Sequence, residues 1–81
     1  MTRIEIEKKV TEYLKDEFSL EDTQLTPESR LREDIGLDSL DTVDIAIAVK
    51  KIFGFRMNTA EMQNVRTLSQ FYTYIEQNIA Q

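Results

Sequence analysis

Residues 36–54 read GLDSLDTVDIAIAVKKIFG, and this stretch predicts the central helix of the fold. Asp38 or Ser39 can cap its beginning, because both side chains carry an oxygen that accepts from free backbone amides. The helix is expected to run to about Phe53, since Gly54 stands where a C-terminal glycine is favoured. We therefore expect a helix that begins at a polar, solvent-accessible junction.

This helix has two apolar stripes. One comprises Ile45, Val49, Ile52 and Phe53, and the other comprises Leu40, Val43 and Ile47. At 100° per residue, positions 43 and 45 point about 200° apart. In a small domain only one stripe can face the core, so we expect the stripe of Leu40, Val43 and Ile47 to be exposed and available to a partner or ligand. A central helix that is buried on both sides is the alternative.

The segments on either side also predict helices. Thr2 with Glu5 forms a capping box before a first helix over roughly residues 3–17. A long loop follows from Ser19 to Leu37, in which isolated apolar residues are expected to anchor the loop to the core, namely Leu25, Leu31, Ile35 and Leu37.

Two further capping signatures follow the central helix. Asn58 with Glu61 begins a short third helix that ends near Asn64, and Thr67 with Gln70 precedes a closing helix. Periodicity indicates no strand. The predicted fold is all-α, a small four-helix bundle with a long first loop, in which residues 1–81 form one domain.

Composition excludes most self-contained catalysis. The 81 residues include no cysteine and no histidine, which removes the common ligands of zinc, the thiol nucleophile and the usual general base near neutral pH. No apolar run approaches the ~20 residues that span a bilayer, so no stable membrane insertion is expected. The start of the chain lacks the apolar region of a secretory signal, and a cytoplasmic protein is therefore the default.

Charge is unevenly distributed along the chain. Residues 16–44 carry ten acidic and two basic side chains, a net charge of −8, whereas the remainder carries +3. A field of this kind repels nucleic acid and favours basic protein partners. We therefore expect protein partners and no nucleic acid.

Ser39 lies where the acidic loop meets the central helix, and two interpretations of it are open. It can be a helix cap, or it can be a reactive hydroxyl. The chain offers no local base, because Lys50 and Lys51 lie roughly 16 to 18 Å away along the same helix. If Ser39 reacts, another protein must activate it.

Asp38, Asp41 and Asp44 recur every third residue along one side of the central helix. Their spacing differs from that of a calcium loop, and no metal site is predicted. They are either a solvated helix face or a strip that binds arginine and lysine of a partner.

The run from Gly36 to Asp44 resembles the phosphopantetheine attachment motif of acyl carrier proteins, whose core reads G-x-D-S-L. The resemblance extends over nearly the whole chain and includes the approach L-x-E-D-x-G, formed by Leu31, Glu33, Asp34 and Gly36. It implies that a phosphopantetheinyl transferase moves 4′-phosphopantetheine from coenzyme A onto Ser39, with Asp38 helping to position the serine and to dock the transferase. The chain itself would be a carrier and not an enzyme.

The resemblance also implies two surfaces. Partner enzymes with basic patches would meet Leu40, Asp41, Val43, Asp44 and Ile47. An acyl chain held as a thioester would be sheltered by a cleft lined by Ala46, Val49, Met57, Met62 and Val65, for which plain core packing is the other interpretation. A monomer is expected.

Several residues depart from the pattern of fatty-acid carriers. Lys50 and Lys51 end the central helix, Phe55 and Arg56 follow, and the third helix keeps only Glu61. These changes favour a specialised carrier of polyketide, polyene or lipid-modification biosynthesis over the housekeeping one. A peptidyl carrier, a D-alanyl carrier and an unmodified helical interaction module are the alternatives.

Overall fold

A computed structural model describes residues 1–79 and contains four α-helices in that range. They are α1 (Arg3–Phe18), α2 (Ser39–Phe53), α3 (Thr59–Met62) and α4 (Leu68–Ile79). No strand occurs within the described range, although Arg30 and Thr67 form an isolated antiparallel bridge. The predicted all-α bundle is confirmed.

The ends of α1 and α2 follow from local chemistry. Thr2 and Glu5 form the reciprocal capping box, and α1 ends at Phe18 because the next residue, Ser19, has a φ of 55°. Gly54, at a φ of 82°, ends α2 in the left-handed conformation that glycine adopts without steric cost.

The third helix is shorter than predicted. Asn58 caps it through its side-chain oxygen, but α3 ends at Met62 and does not reach Asn64. The amides of Asn64 and Val65 bond three residues back, to Glu61 and Met62, so the chain tightens into 3₁₀-like turns beyond the helix.

The long loop is more ordered than its sequence predicts. A 3₁₀ turn, Asp22–Gln24, interrupts it. Its later part is bonded to the start of α4, since the Leu31 amide donates to the Arg66 carbonyl at 2.8 Å and the Leu68 amide donates to the Ser29 carbonyl at 2.9 Å. These bonds hold the approach to α2 against the last helix.

The core lies between α1, α4 and the inner face of α2. Its most deeply buried side chains are Ile6, Leu14, Leu68 and Ile75. The predicted loop anchors Leu31, Ile35 and Leu37 are buried, and Leu25 is partly buried against the same core.

Arg3 ties α1 to α4. Its guanidinium donates to Thr73 Oγ1 at 3.0 Å and to the Ser69 carbonyl at 3.2 Å, and it lies 5.5 Å from the centroid of the Tyr72 ring. Burial, reinforced by the negative charge of Glu7, raises the pKa of Tyr72 to about 12, although Arg3 opposes the shift. The phenol is therefore held neutral in the fold.

No helix within residues 1–79 has the length and apolar character required to cross a bilayer.

Candidate functional site: the start and outer face of α2

Asp38 is the residue that caps α2. Its Oδ1 accepts from the amides of Leu40 and Asp41 at 2.9 and 3.0 Å, and Asp41 Oδ2 accepts from the Asp38 amide at 3.0 Å. Of the two residues expected to cap α2, Asp38 is therefore the cap. The Ser39 side chain is consequently not needed to cap the helix.

Ser39 is the first residue of α2 and is exposed. Its hydroxyl lies at the positive end of the helix, where the helix dipole favours a phosphate group. The neighbouring Asp38 carboxylate opposes an added negative charge, but its Oδ1 is already engaged with two amides. An accessible hydroxyl in this position therefore fits attachment of a phosphodiester.

The outer stripe of α2 is exposed as predicted. Leu40, Val43 and Ile47 are 76%, 54% and 53% exposed, whereas Ile45 on the opposite face is 4% exposed. Large apolar side chains exposed in a continuous row are typical of interaction surfaces. The alternative of a helix buried on both faces is excluded.

Charged side chains stand at both ends of this stripe. Asp38 and Asp44 are exposed near its beginning, with Asp41 partly exposed between them. Lys50 and Lys51 are exposed near its end, and Lys50 Nζ approaches the Gly54 carbonyl at 3.5 Å. The outer face is thus acidic at its start and basic at its end.

A groove of about 360 Å³ separates the outer face of α2 from α1. Its walls include Tyr13 and Glu17 from α1 and Asp44, Ile47 and Lys51 from α2. The Tyr13 hydroxyl donates to the Asp44 carbonyl at 3.4 Å. Burial, with the added charge of Glu17, Asp44 and Asp41, raises the pKa of Tyr13 above its usual range, so the phenol is neutral at physiological pH.

A larger cleft, of about 620 Å³, lies on the other side of α2. Met62 and Val65, two of the five residues that the resemblance assigns to an acyl cleft, line it. Val49 and Met57 are buried in the core, Ala46 packs partly buried against the core, and none of these three lines the cleft. The structure therefore brings two of the five expected cleft residues to the cleft, whereas the other three do not line it.

Sequence reasoning missed several residues of this cleft. Its apolar wall also includes Leu31, Leu37, Ile45 and Phe71, and its rim carries Arg30, Arg32 and Arg66. The isolated apolar residues of the loop were the available signal, since Leu31 and Leu37 had to contact something buried. The arginines gave no signal, because only the folded chain brings positions 30, 32 and 66 together.

The L-x-E-D-x-G approach has a structural role. Asp34 accepts from the Arg30 amide at 2.8 Å and from the Arg30 guanidinium at 3.1 and 3.2 Å. These hydrogen bonds hold the pKa of Asp34 below its usual range. The pair closes the turn that leads into α2.

In the described part of the chain, no three acidic side chains converge closely enough to hold a metal ion.

Comparison with known proteins identifies relatives over nearly the full length. Residues 8–75 match the family model described as Phosphopantetheine attachment site. An acyl carrier protein of Coprothermobacter proteolyticus is 37% identical over 79 residues, which cover 98% of this chain and 96% of the relative. An acyl carrier protein of Phytoplasma australiense is 35% identical over 72 residues, with 89% and 95% covered. Acyl carrier protein 2 of Ralstonia nicotianae is 31% identical over 80 residues, with 99% of each covered.

The family match spans most of the chain, and it agrees with the helical bundle and with the exposed serine at the start of α2. Together these findings show that the chain belongs to the acyl carrier proteins of the phosphopantetheine-attachment family, which are carriers and not enzymes and whose cofactor is 4′-phosphopantetheine.

Proposed function

We propose that Ser39 is the attachment residue for 4′-phosphopantetheine, and that residues 1–81 form one carrier domain for acyl groups. The observation that carries the assignment is the exposure of Ser39 at the first position of α2, beside a different residue that caps the helix. When bound, 4′-phosphopantetheine supplies the thiol that this chain lacks, and acyl groups are carried on it as thioesters.

Attachment requires an external enzyme. A bond forms between Ser39 Oγ and the phosphorus of coenzyme A that bears pantetheine, the pyrophosphate link breaks, and the adenosine bisphosphate portion leaves. The hydroxyl proton passes to a base of the phosphopantetheinyl transferase, since this chain contains no histidine. What the chain contributes is a serine on a rigid helix end where the transferase can reach it.

Asp38 acts on Ser39 through the backbone. Its hydrogen bonds to the amides of Leu40 and Asp41 fix the first turn of α2 and therefore the direction of the Ser39 side chain. Its exposed carboxylate also offers the transferase a charge next to the hydroxyl. Asp38 is thus a positioning residue with a second role in docking.

The outer face of α2 is the surface on which partner enzymes dock. The exposed stripe of Leu40, Val43 and Ile47 supplies apolar contact, and Asp41 and Asp44 supply charge for basic patches. The partners are the transferase and the acyl-transferring and chain-elongating enzymes of fatty-acid, polyketide or related lipid biosynthesis.

The cleft beneath α2 shelters the acyl chain. Met62 and Val65 line it directly. Ala46, Val49 and Met57 belong to the core or pack against it, so these side chains would have to rearrange to contact a longer acyl chain. Methionine suits this position because its unbranched side chain changes shape easily.

The basic end of α2 favours a dedicated pathway. Lys50, Lys51 and Arg56 are all exposed there, and enzymes that serve an ordinary acidic carrier would meet positive charge. A polyketide, polyene or lipid-modification pathway in the cytoplasm fits this surface, with the chain acting as a monomer.

The test is modification followed by intact mass measurement. Incubation with coenzyme A and a broad-specificity phosphopantetheinyl transferase should add one phosphopantetheinyl group to the native chain and none to Ser39→Ala. Ser19→Gly is the matched control, because Ser19 is also exposed and its positive φ suits glycine. Normal loading of Ser39→Ala would refute the assignment, and no loading of the native chain would favour an unmodified interaction module.

A further inference from the structure

The apolar stripe on the outer face of α2 runs directly into a basic end. Taking Leu40 as zero and 100° per residue, Ile47 lies at about −20° and Lys51 at about 20°. Lys51 is therefore the next member of the row of Leu40 and Ile47, and Lys50 follows Val43 in the same way. All five of these side chains are exposed.

The charges at the two ends are separated by a fixed distance. Asp41 and Lys51 are ten residues apart on one continuous helix, which places their backbones about 15 Å apart. This exceeds the Debye length of about 8 Å at physiological ionic strength, so the two ends interact separately with whatever faces them. The charge on the outer face of α2 therefore changes sign along the helix axis, so a partner can distinguish the two ends.

Within residues 1–79 these charged side chains form no salt bridge with one another or with the rest of the fold. The salt bridges found over residues 1–79 all lie elsewhere, joining Arg3 to Glu7 and Glu76, Lys15 to Asp22 and Arg30 to Asp34. Asp38 and Asp41 accept only backbone amides and Lys50 donates only to a carbonyl, so both ends of the stripe keep their net charge for a partner.

The groove between α1 and α2 opens beside the same stripe. Ile47 and Lys51 form part of one wall, and the ring of Tyr13 lines the other side. Its volume of about 360 Å³ accommodates a large apolar side chain with a flanking group. A group placed there would lie next to the Lys51 ammonium.

We propose that the partner enzyme of this carrier presents a docking face that is basic opposite Asp38, Asp41 and Asp44 and acidic opposite Lys50 and Lys51. An apolar side chain of the partner enters the groove beside Ile47. The proposal rests on the assigned carrier function and adds the chemistry of the partner to it. Charge complementarity at both ends fixes the direction in which the partner lies along α2, and hence the side from which it approaches Ser39.

The same arrangement rejects the wrong partner. An enzyme with a wholly basic docking patch would gain contacts at Asp41 and Asp44 but would oppose Lys50 and Lys51 by like-charge repulsion. Because the lysines are exposed, each contact is weak, so the charges change preference between partners without forbidding binding.

The proposal is tested by a double-mutant cycle on the loaded carrier. On the enzyme side, the cycle compares a condensing enzyme that has a wholly basic docking patch with its variant in which two basic residues facing the end of α2 are changed to glutamate. On the carrier side, it compares the native chain with the double variant Lys50→Glu, Lys51→Glu. The native chain should prefer the glutamate variant and the double variant should prefer the basic enzyme, with a coupling in kcat/KM of at least about 3-fold that increases at low salt.

Lys8→Glu with Lys9→Glu is the matched control, because these lysines are exposed on α1 and the change in net charge is identical. A cycle that is additive within 2-fold, or equal coupling in the control, would overturn the proposal. Lys50→Gln with Lys51→Gln should give a smaller coupling of the same sign, and it provides a second variant if charge reversal disturbs folding. Loading of every chain is verified by mass first, so failure of the docking proposal is distinguished from failure of the Ser39 assignment.

Discussion

Ile45 and Ile47 are identical residues two positions apart on α2, and replacing each by alanine should have opposite consequences. Ile45 is 4% exposed and Ile47 is 53% exposed. We expect Ile45→Ala to destabilise the fold and Ile47→Ala to leave it nearly intact while weakening partner docking. Since both changes have the same intrinsic effect on helix formation, their difference isolates burial.

The magnitudes follow from the exposed fractions. Removing a buried isoleucine side chain down to alanine costs about 2–5 kcal/mol. Full burial of such a side chain stabilises the fold by about 1.5–3 kcal/mol, so burial of the half-exposed Ile47 contributes about 1 kcal/mol. The better helix propensity of alanine offsets part of this loss in Ile47→Ala. In a domain of this size, about 1 kcal/mol corresponds to roughly 4–8 °C in Tm. Ile47→Ala should therefore lower Tm by no more than about 5 °C, and Ile45→Ala by at least about 8 °C.

Thermal unfolding followed by circular dichroism measures the first effect, and the rate of transfer to a partner enzyme measures the second. Ile47→Ala should slow transfer at a temperature where both chains are folded. A fall in Tm as large as that of Ile45→Ala would refute the assignment of Ile47 to a free surface. An unchanged transfer rate would refute its part in docking.

Two further substitutions test single groups. Asp38→Ala should lower the free energy of unfolding by about 0.5–2 kcal/mol, whereas Asp38→Asn keeps the capping oxygen and most of the stability. Slower loading by the transferase in both variants would show that the charge of Asp38 also matters. Unchanged loading of Asp38→Asn would exclude a role for that charge. The raised pKa of Tyr72 means that folding favours the neutral phenol, so its contribution is complete below pH 10 and is lost as the pH rises from 10 to about 12. Urea unfolding of Tyr72→Phe should show a weaker decline over that interval than the native chain, and parallel curves would contradict the shift.

Features set by neighbouring residues could be predicted from the sequence. The capping box of Thr2 and Glu5, the Asn58 side-chain cap, and Gly54 at the end of α2 act over three or four positions, and the structure confirms each. Glu61 does not complete a reciprocal pair with Asn58, because the Asn58 amide donates to the Tyr74 hydroxyl instead. The exposed stripe of α2 was also predictable, since it depends only on helical periodicity and the size of the domain.

Features that depend on distant residues could not be predicted. The bonds between residues 29–31 and 66–68 join segments more than thirty positions apart, and no pattern within either segment indicates the other. The composition of the cleft has the same origin, because Leu37 and Phe71 meet only once the loop and α4 are packed. The shorter α3 reflects a change to 3₁₀ bonding after Met62 that its capping residues do not determine.

The two sides of the cleft are held with unequal strength. Backbone hydrogen bonds from Leu31 to Arg66 and from Leu68 to Ser29 join the loop side to α4. On the other side, α3 is a single turn whose preceding amide, that of Asn58, donates to the Tyr74 hydroxyl at 2.9 Å. Displacing the loop breaks at least two main-chain hydrogen bonds, whereas displacing α3 breaks the one bond from Asn58 to Tyr74 and requires Met62 to repack. The cleft consequently has one firmly held wall, the loop, and one weakly held wall, α3. A larger bound group would gain room by displacing α3 while Ser39 stays in place.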